Sequence, residues 1–376
     1  MQQIINGIAH LQEILRKAGC KKLFLVVDTS YPFLNIKDTI DALPVEEKVL
    51  FSDFTPNPLY EQVCNGLERL EATQCDTLLA VGGGSAIDVA KCIKLAKLAK
   101  EGRAALIPPL VSQQLPINGA KIPFIAVPTT AGTGSESTHN AVMYFKGVKQ
   151  TVTNDEILPN YAVLEPTVLT TLPLYQKKCT MMDALCQGIE SWWSINSTDE
   201  SKAYSRKCVE LIVAHWHRYI FDTDAEAAAQ MMLAANYGGR AINITQTTAP
   251  HAMSYKITSL YKLPHGHAVA VCLPEVWQYM LDHPEGCIDV RGTAYLTQTF
   301  SEIAAAIGCD TPQEAVAHFR QMMSELEMSH PTSGDKTNDL KTLTSSVNPI
   351  RLKNNPVRLT EEVIRSLYSD IVLEQA

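Results

Sequence analysis

Three histidines, His251, His265 and His267, fall in the stretch TAPHAMSYKITSLYKLPHGH, with Tyr255, Lys256 and Lys262 between them. Upstream, DALCQ sets Asp183 and Gln187 four residues apart in a segment of helical character. Helical residues four apart lie about 40° from each other on one face. Asp183 and Gln187 are related in this way, and so are His251 and Tyr255. His265 precedes Gly266 where a turn enters the next helix. A metal that does catalysis typically keeps three protein ligands and one open position for water or substrate. Asp183, His251 and His265 would supply that count. A lone helical Asp or His more often caps or pairs, so the reading rests on their grouping.

The elements before this cluster read as a nucleotide-binding frame. The stretch from residue 1 to Gly19 reads as an amphipathic helix stopped by the glycine. KKLFLVVD is a short apolar run that reads as a buried parallel strand ending at Asp28. An acid just past such a strand often bonds a ribose hydroxyl and favours NAD, although a turn Asp is the simpler reading. A second strand is expected over residues 45–54, and TPNP should open the next helix. DTLLAVGGGSAIDVAKCIKLAKLA then gives strand, glycine loop and helix. Gly82, Gly83 and Gly84 let backbone N–H groups approach a diphosphate at a helix N-terminus, with Asp88 and Lys91 in the first turns.

KIPFIAVPTTAGTGSES repeats the logic with Thr129, Thr130, Thr133 and Ser135 as small donors. Two such loops are less easily coincidental than one. A hairpin around Lys146-Gly147 carries Lys149, within reach of a ribose, and a further strand ends at Glu165. Beyond Pro166 the chain becomes helical, including residues 225–244 despite Gly238 and Gly239. The segment after Ser329 reads as a polar loop, and a closing helix starts near Thr360. The domain boundary falls near Glu165–Leu172.

Composition narrows the classes. The chain has 376 residues, 46% hydrophobic and 19% charged, enough for a large core without disulfides. A net charge of −8 argues against nucleic-acid binding, which calls for a basic face. No run approaches the roughly 18 apolar residues of a membrane span. Ten cysteines without a CxxC pair read as reduced thiols of a cytoplasmic protein.

The motifs TPNP, GGGSAIDVAK, PTTAGTGSE, ILPNYAVLEPTVLTTLP, DALCQGIE and PHAMSY…LPHGHAVAVCLP together resemble the iron-containing, group III metal-dependent alcohol dehydrogenase family. They run in family order from about Asp28 to Pro274. The resemblance implies an α/β N-terminal dinucleotide-binding domain, residues 1–168, plus an all-α C-terminal metal and substrate domain, residues 169–376. This is a dehydroquinate synthase-like architecture with a cleft between the domains. It implies NAD(P)-linked interconversion of alcohol and aldehyde in a homodimer or larger homo-oligomer. By motif match, Asp28, Gly83, Gly84, Ser85, Asp88, Thr129, Thr130, Thr133, Ser135, Lys149 and Leu172 would contact NAD(H). A divalent metal, iron or zinc, would be held at the positions of Asp183, Gln187, His251 and His265.

Two positions depart from the pattern. Gln187 stands where the family has a ligand histidine, and an amide oxygen is a weaker ligand than imidazole for Fe²⁺ or Zn²⁺. Tyr255 replaces a second histidine that lies near the nicotinamide. Arg240 stands at a usually apolar position, with Lys256 and Lys262 near the ligands. These cations suit an anionic aldehyde, since Arg forks match tetrahedral oxyanions and Lys acts as a point charge. The resemblance is strongest to the sulfoacetaldehyde and phosphonoacetaldehyde reductase branch, with sulfoacetaldehyde the first expectation. His251, Tyr255 and His265 are then the expected catalytic residues. Gln187, Arg240 and Lys256 are the expected substrate contacts, with His267 a lesser one. The alternatives are an uncharged-alcohol dehydrogenase, a dehydroquinate-synthase-type lyase and a noncatalytic NADH-binding protein.

Overall fold

The computed structural model describes residues 2–119 and 121–375. The first half alternates strands and helices: β1 (Gln3–Asn6), α1 (Leu11–Ala18), β2 (Lys22–Val27), α2 (Lys37–Asp41), β3 (Glu47–Phe51), α3 (Tyr60–Thr73), β4 (Thr77–Gly82), α4 (Gly84–Leu98), β5 (Phe124–Pro128), β6 (Asn140–Phe145), β7 (Val148–Thr153) and β8 (Tyr161–Leu164). The second half is helical: α5 (Leu174–Trp193), α6 (Asp199–Phe221), α7 (Ala225–Thr245), α8 (Ala249–Tyr261), α9 (His265–Asp282), α10 (Thr293–Ile307), α11 (Pro312–Glu325), α12 (Lys336–Ser346), α13 (Pro349–Leu352) and α14 (Glu361–Ile371).

The chain divides into two compact units. One runs through Leu172 and also takes in Thr223–Gly239; the other comprises Pro173–Asp222 and the chain from Arg240 onward. In the first, six parallel strands pair in the order β1-β8-β5-β4-β2-β3. The central strands are apolar on both faces, with β4 buried along its whole length, as expected of a sheet covered on both sides. α4 packs into the core beside it through Ala86, Ile87, Val89, Ala90 and Ile93. β6 and β7 form the antiparallel hairpin.

The first unit extends past residues 1–168 by most of α7. Asn236 Nδ2 donates to Glu136 Oε1 at 2.9 Å and to Ser137 Oγ at 2.7 Å. Gly239 lies so close to Gly134 that a Cβ on it would sit 2.4 Å from the Gly134 carbonyl oxygen. That approach accounts for a glycine inside a long helix.

In the second unit α5 lies against α6 and α9, and α9 against α8. Trp193 and Trp277 meet edge to face at 5.6 Å inside it, both fully buried. Gly266 makes the tightest contact: a Cβ there would lie 1.9 Å from the Cys179 carbonyl oxygen. The first turn of α9 therefore rests directly on the backbone of α5.

Two expectations are corrected. The N-terminal residues do not start a helix; Gln3–Asn6 form β1, in parallel register with Tyr161–Leu164 of β8. Gly7, at φ 90, separates this strand from the helix that follows, and α1 ends at Gly19 in the left-handed region as its sequence suggests. The stretch after Ser329 is not a plain loop. Asp335 caps α12 by accepting from the Asn338 N–H. Leu340 and Leu343, three apart, bury the one apolar stripe in an otherwise polar run. Thr360 caps α14, accepting from the Val363 N–H. All ten cysteines are free thiols. No helix among the described residues is long and apolar enough to cross a membrane.

Candidate active site

The first unit gathers its glycine and threonine loops at the C-terminal ends of the parallel strands. Asp28 follows β2 and braces the glycine turn: its Oδ2 accepts from the Gly83 N–H at 2.9 Å, and its Oδ1 from the Ser30 N–H at 2.9 Å. A side chain at Gly82 would meet that carboxylate at 2.6 Å. Gly83 precedes α4 in an extended conformation, and Gly84 and Ser85 begin the helix. The second loop closes over this turn. Thr129 N–H donates to the Gly82 carbonyl at 3.0 Å. The Thr130 and Thr133 side chains come within 3.6 Å and 3.0 Å of where Cβ atoms on Gly83 and Gly84 would be. The result is a helix N-terminus ringed by small residues, which suits a diphosphate.

Asp88 and Ser135 lock the loops together. Ser135 Oγ donates to Asp88 Oδ1 at 2.6 Å, and the Val142 N–H to Oδ2 at 2.9 Å. Lys91, fully buried, donates to the Ser135 carbonyl, Thr138 Oγ1 and the Asn140 carbonyl at 2.6–2.9 Å. Burial lowers Lys91 to about 8 against the pull of Asp88 and Glu136. Lys149 sits on β7 opposite Tyr144. Leu172 ends the turn Pro166–Thr171, its N–H bonded to the Leu169 carbonyl.

In the second unit three helices bring the acid and histidines together. Asp183 comes from the middle of α5, His251 from the first turn of α8 and His265 from the start of α9. His251 Nε2 and His265 Nε2 lie 3.3 Å and 3.9 Å from Asp183 Oδ1. One donor atom from each residue falls within 4.8 Å of the others. Asp183 and His251 are buried, whereas the His265 side chain keeps 37% of its exposure and forms the open side. Asp183 Oδ1 and His251 Nε2 are both shut from solvent and not aligned for a hydrogen bond with any described residue. Two orphaned ligand-type atoms facing each other fit a cation. Gln187, one turn along α5, is buried with them and helps to hold the Asp183 charge.

Burial by itself would push Asp183 up, but His251 and His265 outweigh it and hold the carboxyl below its usual range. Burial would likewise depress His251; Glu190 and Asp183 reverse that and raise the imidazole to about 10. Glu190 escaped the sequence reading. It is fully buried, accepts from the Thr248 N–H at 2.7 Å and Thr248 Oγ1 at 2.9 Å, and makes a short hydrogen bond with His251 Nδ1. The signal was present, since Glu190 lies seven residues after Asp183 and three after Gln187 on the same helical face.

Tyr255 stacks on His265 with ring centroids 5.8 Å apart. His267 is held elsewhere: its Nε2 donates to the Ser329 carbonyl at 2.8 Å and its Nδ1 accepts from the Tyr175 hydroxyl at 2.7 Å. Arg240 lies over the Tyr204 ring at 4.0 Å and donates to its hydroxyl. Lys256 is five residues beyond His251 on α8, about 140° around the helix. Lys262 adopts the left-handed conformation that ends α8.

Residues 3–166 match the family model described as iron-containing alcohol dehydrogenase, and residues 178–372 match the model of that family's C-terminal region. The chain belongs to the iron-containing alcohol dehydrogenase family. Among relatives of this family member, a phosphonoacetaldehyde reductase of Streptomyces viridochromogenes is 32% identical, covering 88% of this chain and 84% of the relative. Alcohol dehydrogenase 4 of Schizosaccharomyces pombe is 28% identical over 96% of this chain and 85% of its own. An NAD-dependent methanol dehydrogenase of Bacillus methanolicus is 30% identical over 71% and 70%. A sulfoacetaldehyde reductase of Bifidobacterium kashiwanohense, solved in complex with NAD⁺, superposes with a TM-score of 0.86 at 24% identity, covering 98% of this chain and 96% of that one. That likeness establishes the fold. As a member of the family the chain is an NAD-linked oxidoreductase working between alcohol and aldehyde, which sets aside the lyase and noncatalytic alternatives.

Proposed function

We propose that this enzyme reduces a small anionic aldehyde to its alcohol with NADH. Sulfoacetaldehyde, giving isethionate, comes first in this reading and phosphonoacetaldehyde, giving 2-hydroxyethylphosphonate, next; similarity to a 32% identical phosphonoacetaldehyde reductase supports this class of aldehyde. The observation that carries the aldehyde chemistry is the buried Asp183–His251–His265 set with its open side at His265. Asp183, His251 and His265 would hold a divalent iron or zinc ion, with the Gln187 amide oxygen a weak fourth donor. Such an ion supplies Lewis acidity that polarises a carbonyl oxygen.

The chain's own residues do the rest. Glu190, accepting from the Nδ1–H of His251, would fix the tautomer that leaves Nε2 to the ion once the imidazole is neutral. Tyr255, stacked on His265, stands at the open side as the proton donor to the nascent alkoxide. The loops at Gly83, Gly84, Ser85, Thr130 and Thr133 would hold the diphosphate of NADH, which would supply a hydride from its nicotinamide. Asp28 favours NADH because a second negative charge on a ribose phosphate would oppose it. Arg240, its plane set by Tyr204, is assigned to the anionic end, whereas Lys256, about 140° around α8 from His251, is left out of it. A homodimer or larger assembly and a cytoplasmic location belong to the same reading.

The test is NADH consumption on sulfoacetaldehyde, phosphonoacetaldehyde and propanal, with and without chelator. A preference of at least tenfold for one anionic aldehyde is expected, with loss on chelation and recovery on adding Fe²⁺ or Zn²⁺. Equal rates on all three would favour an uncharged-alcohol dehydrogenase. That second reading draws on the Tyr204 contact of Arg240 and on the methanol dehydrogenase among the relatives.

A further inference from the structure

The opposite edge of the first unit carries a second polar cavity that the dehydrogenase reaction does not use. It holds about 450 Å³ and is lined by Lys94, Leu98, Ile122, Pro123, Asn160 and Tyr161, among others. Ile122 and Pro123 precede β5, and Tyr161 opens β8, so the cavity lies at the N-terminal ends of the parallel strands. The glycine and threonine loops lie at their C-terminal ends. Lys94 is ten residues along α4 from Gly84, about 15 Å at the rise of an α-helix.

Lys94 is the unexplained group. Only 4% of its surface is exposed, yet among the described residues its ammonium makes no hydrogen bond and no ion pair. The ammonium stands over the Phe124 ring, 5.9 Å from its centroid. Lys91, one turn earlier on the same helix, shows the contrast, since it is buried with a full set of oxygen acceptors. Its Nζ opens on the cavity, where no protein acceptor meets it and a counter-ion can. Burial lowers Lys94 to about 8, with Glu156 opposing the shift, so the amine remains largely cationic at neutral pH.

The walls describe what would join it. Leu98, Ile122 and Pro123 offer an apolar surface. The Asn160 amide oxygen is engaged by the Phe124 N–H at 2.8 Å, which turns its NH₂ group away from that bond as a further donor. Lys121 lies at the rim, exposed. Glu156 also lines the cavity, but it is exposed and beyond ion-pair distance of Lys94. We propose that this cavity binds a small organic acid, its carboxylate on Lys94 and Asn160 and its apolar body against Leu98, Ile122 and Pro123.

The experiment uses 4-bromobenzoate as the probe on the full chain, with NADH saturating so that the cofactor loops are filled. Crystals soaked in the probe should show a bromine anomalous peak inside the cavity, with the carboxylate on Lys94 Nζ. Calorimetric titration should give binding that weakens at least tenfold in Lys94→Met and is kept in Glu156→Gln. Lys94→Met should melt no lower than the parent, because no protein acceptor is lost with the ammonium and the methionine keeps the apolar packing of the side chain. The proposal is overturned if the cavity holds no bromine at saturating probe, if Lys94→Met binds as tightly as the parent, or if Glu156 occupies the ammonium in the crystal. Should the methionine variant fail to fold, the position of the bromine decides the matter alone.

Discussion

Glu190 and Gln187 set how the acid-histidine set would grip a metal, from opposite directions. Glu190 orients His251 through Nδ1, and loss of such an outer partner typically weakens a metal site 10–100-fold. Glu190→Gln should therefore lower the affinity of the metal-free protein for Zn²⁺ by about that factor, measured against a competing chelator; unchanged affinity would deny Glu190 its orienting part. Gln187→His adds a fourth strong donor and should tighten the same constant by at least about tenfold. A metal must also displace a proton. With its imidazole raised to about 10, His251 is protonated in the metal-free protein throughout neutral pH, and metal binding needs it neutral. Uptake at pH 7 should release about one proton, and affinity should fall as pH drops and rise as pH climbs toward that value. Calorimetry in two buffers of different ionisation enthalpy counts the proton. These residues also mark how far the sequence could be read. Asp183, His251 and His265 are legible because Asp183 and His251 each stand four residues before a polar partner, Gln187 and Tyr255, and His265 stands at a helix start. Glu190 was not singled out, because a buried carboxylate looks the same in sequence as a solvated one.

Among the elements, the contact of α9 with α5 determines where His265 sits. Because Gly266 has no side chain, the helix start can rest on the Cys179 carbonyl. Gly266→Ala would force a shift, with an overpacking cost of about 1–3 kcal/mol. It should lower the urea midpoint and also loosen the metal by displacing the neighbouring His265. A variant that lost stability but bound metal as before would show that α9 does not locate the ligand. Glycines of this kind could be seen in the sequence without their reasons. Gly238 and Gly239 looked like defects in α7, yet Gly239 is needed for the close approach to Gly134. Strand β1 is hidden in the sequence for the complementary reason. Its amphipathic look belongs to the residues after Gly7, and only the distant β8 gives the first residues a partner.

At the scale of the molecule, the strand-and-helix alternation followed by helices was readable from periodicity. The discontinuity of the first unit was not, because nothing local marks Thr223–Gly239 as its part. A fragment of residues 1–172 would leave Glu136 buried without Asn236, and its carboxylate is already pushed up by burial. Such a fragment should be markedly more susceptible to proteolysis than the same region in the full chain. Adding a peptide of residues 223–239 should restore part of the protection. Equal resistance of the fragment and the full chain would show that α7 is dispensable to that unit.

The same discontinuity sets a timetable for synthesis. A ribosome that has made the whole six-stranded sheet still withholds the helix that covers Glu136 and meets Gly134. The nascent sheet must therefore wait, incompletely covered, while 75 further residues are translated, from the end of β8 at Leu164 to Gly239 (239 − 164). A pause or a chaperone acting in that interval would meet the protein at its most exposed.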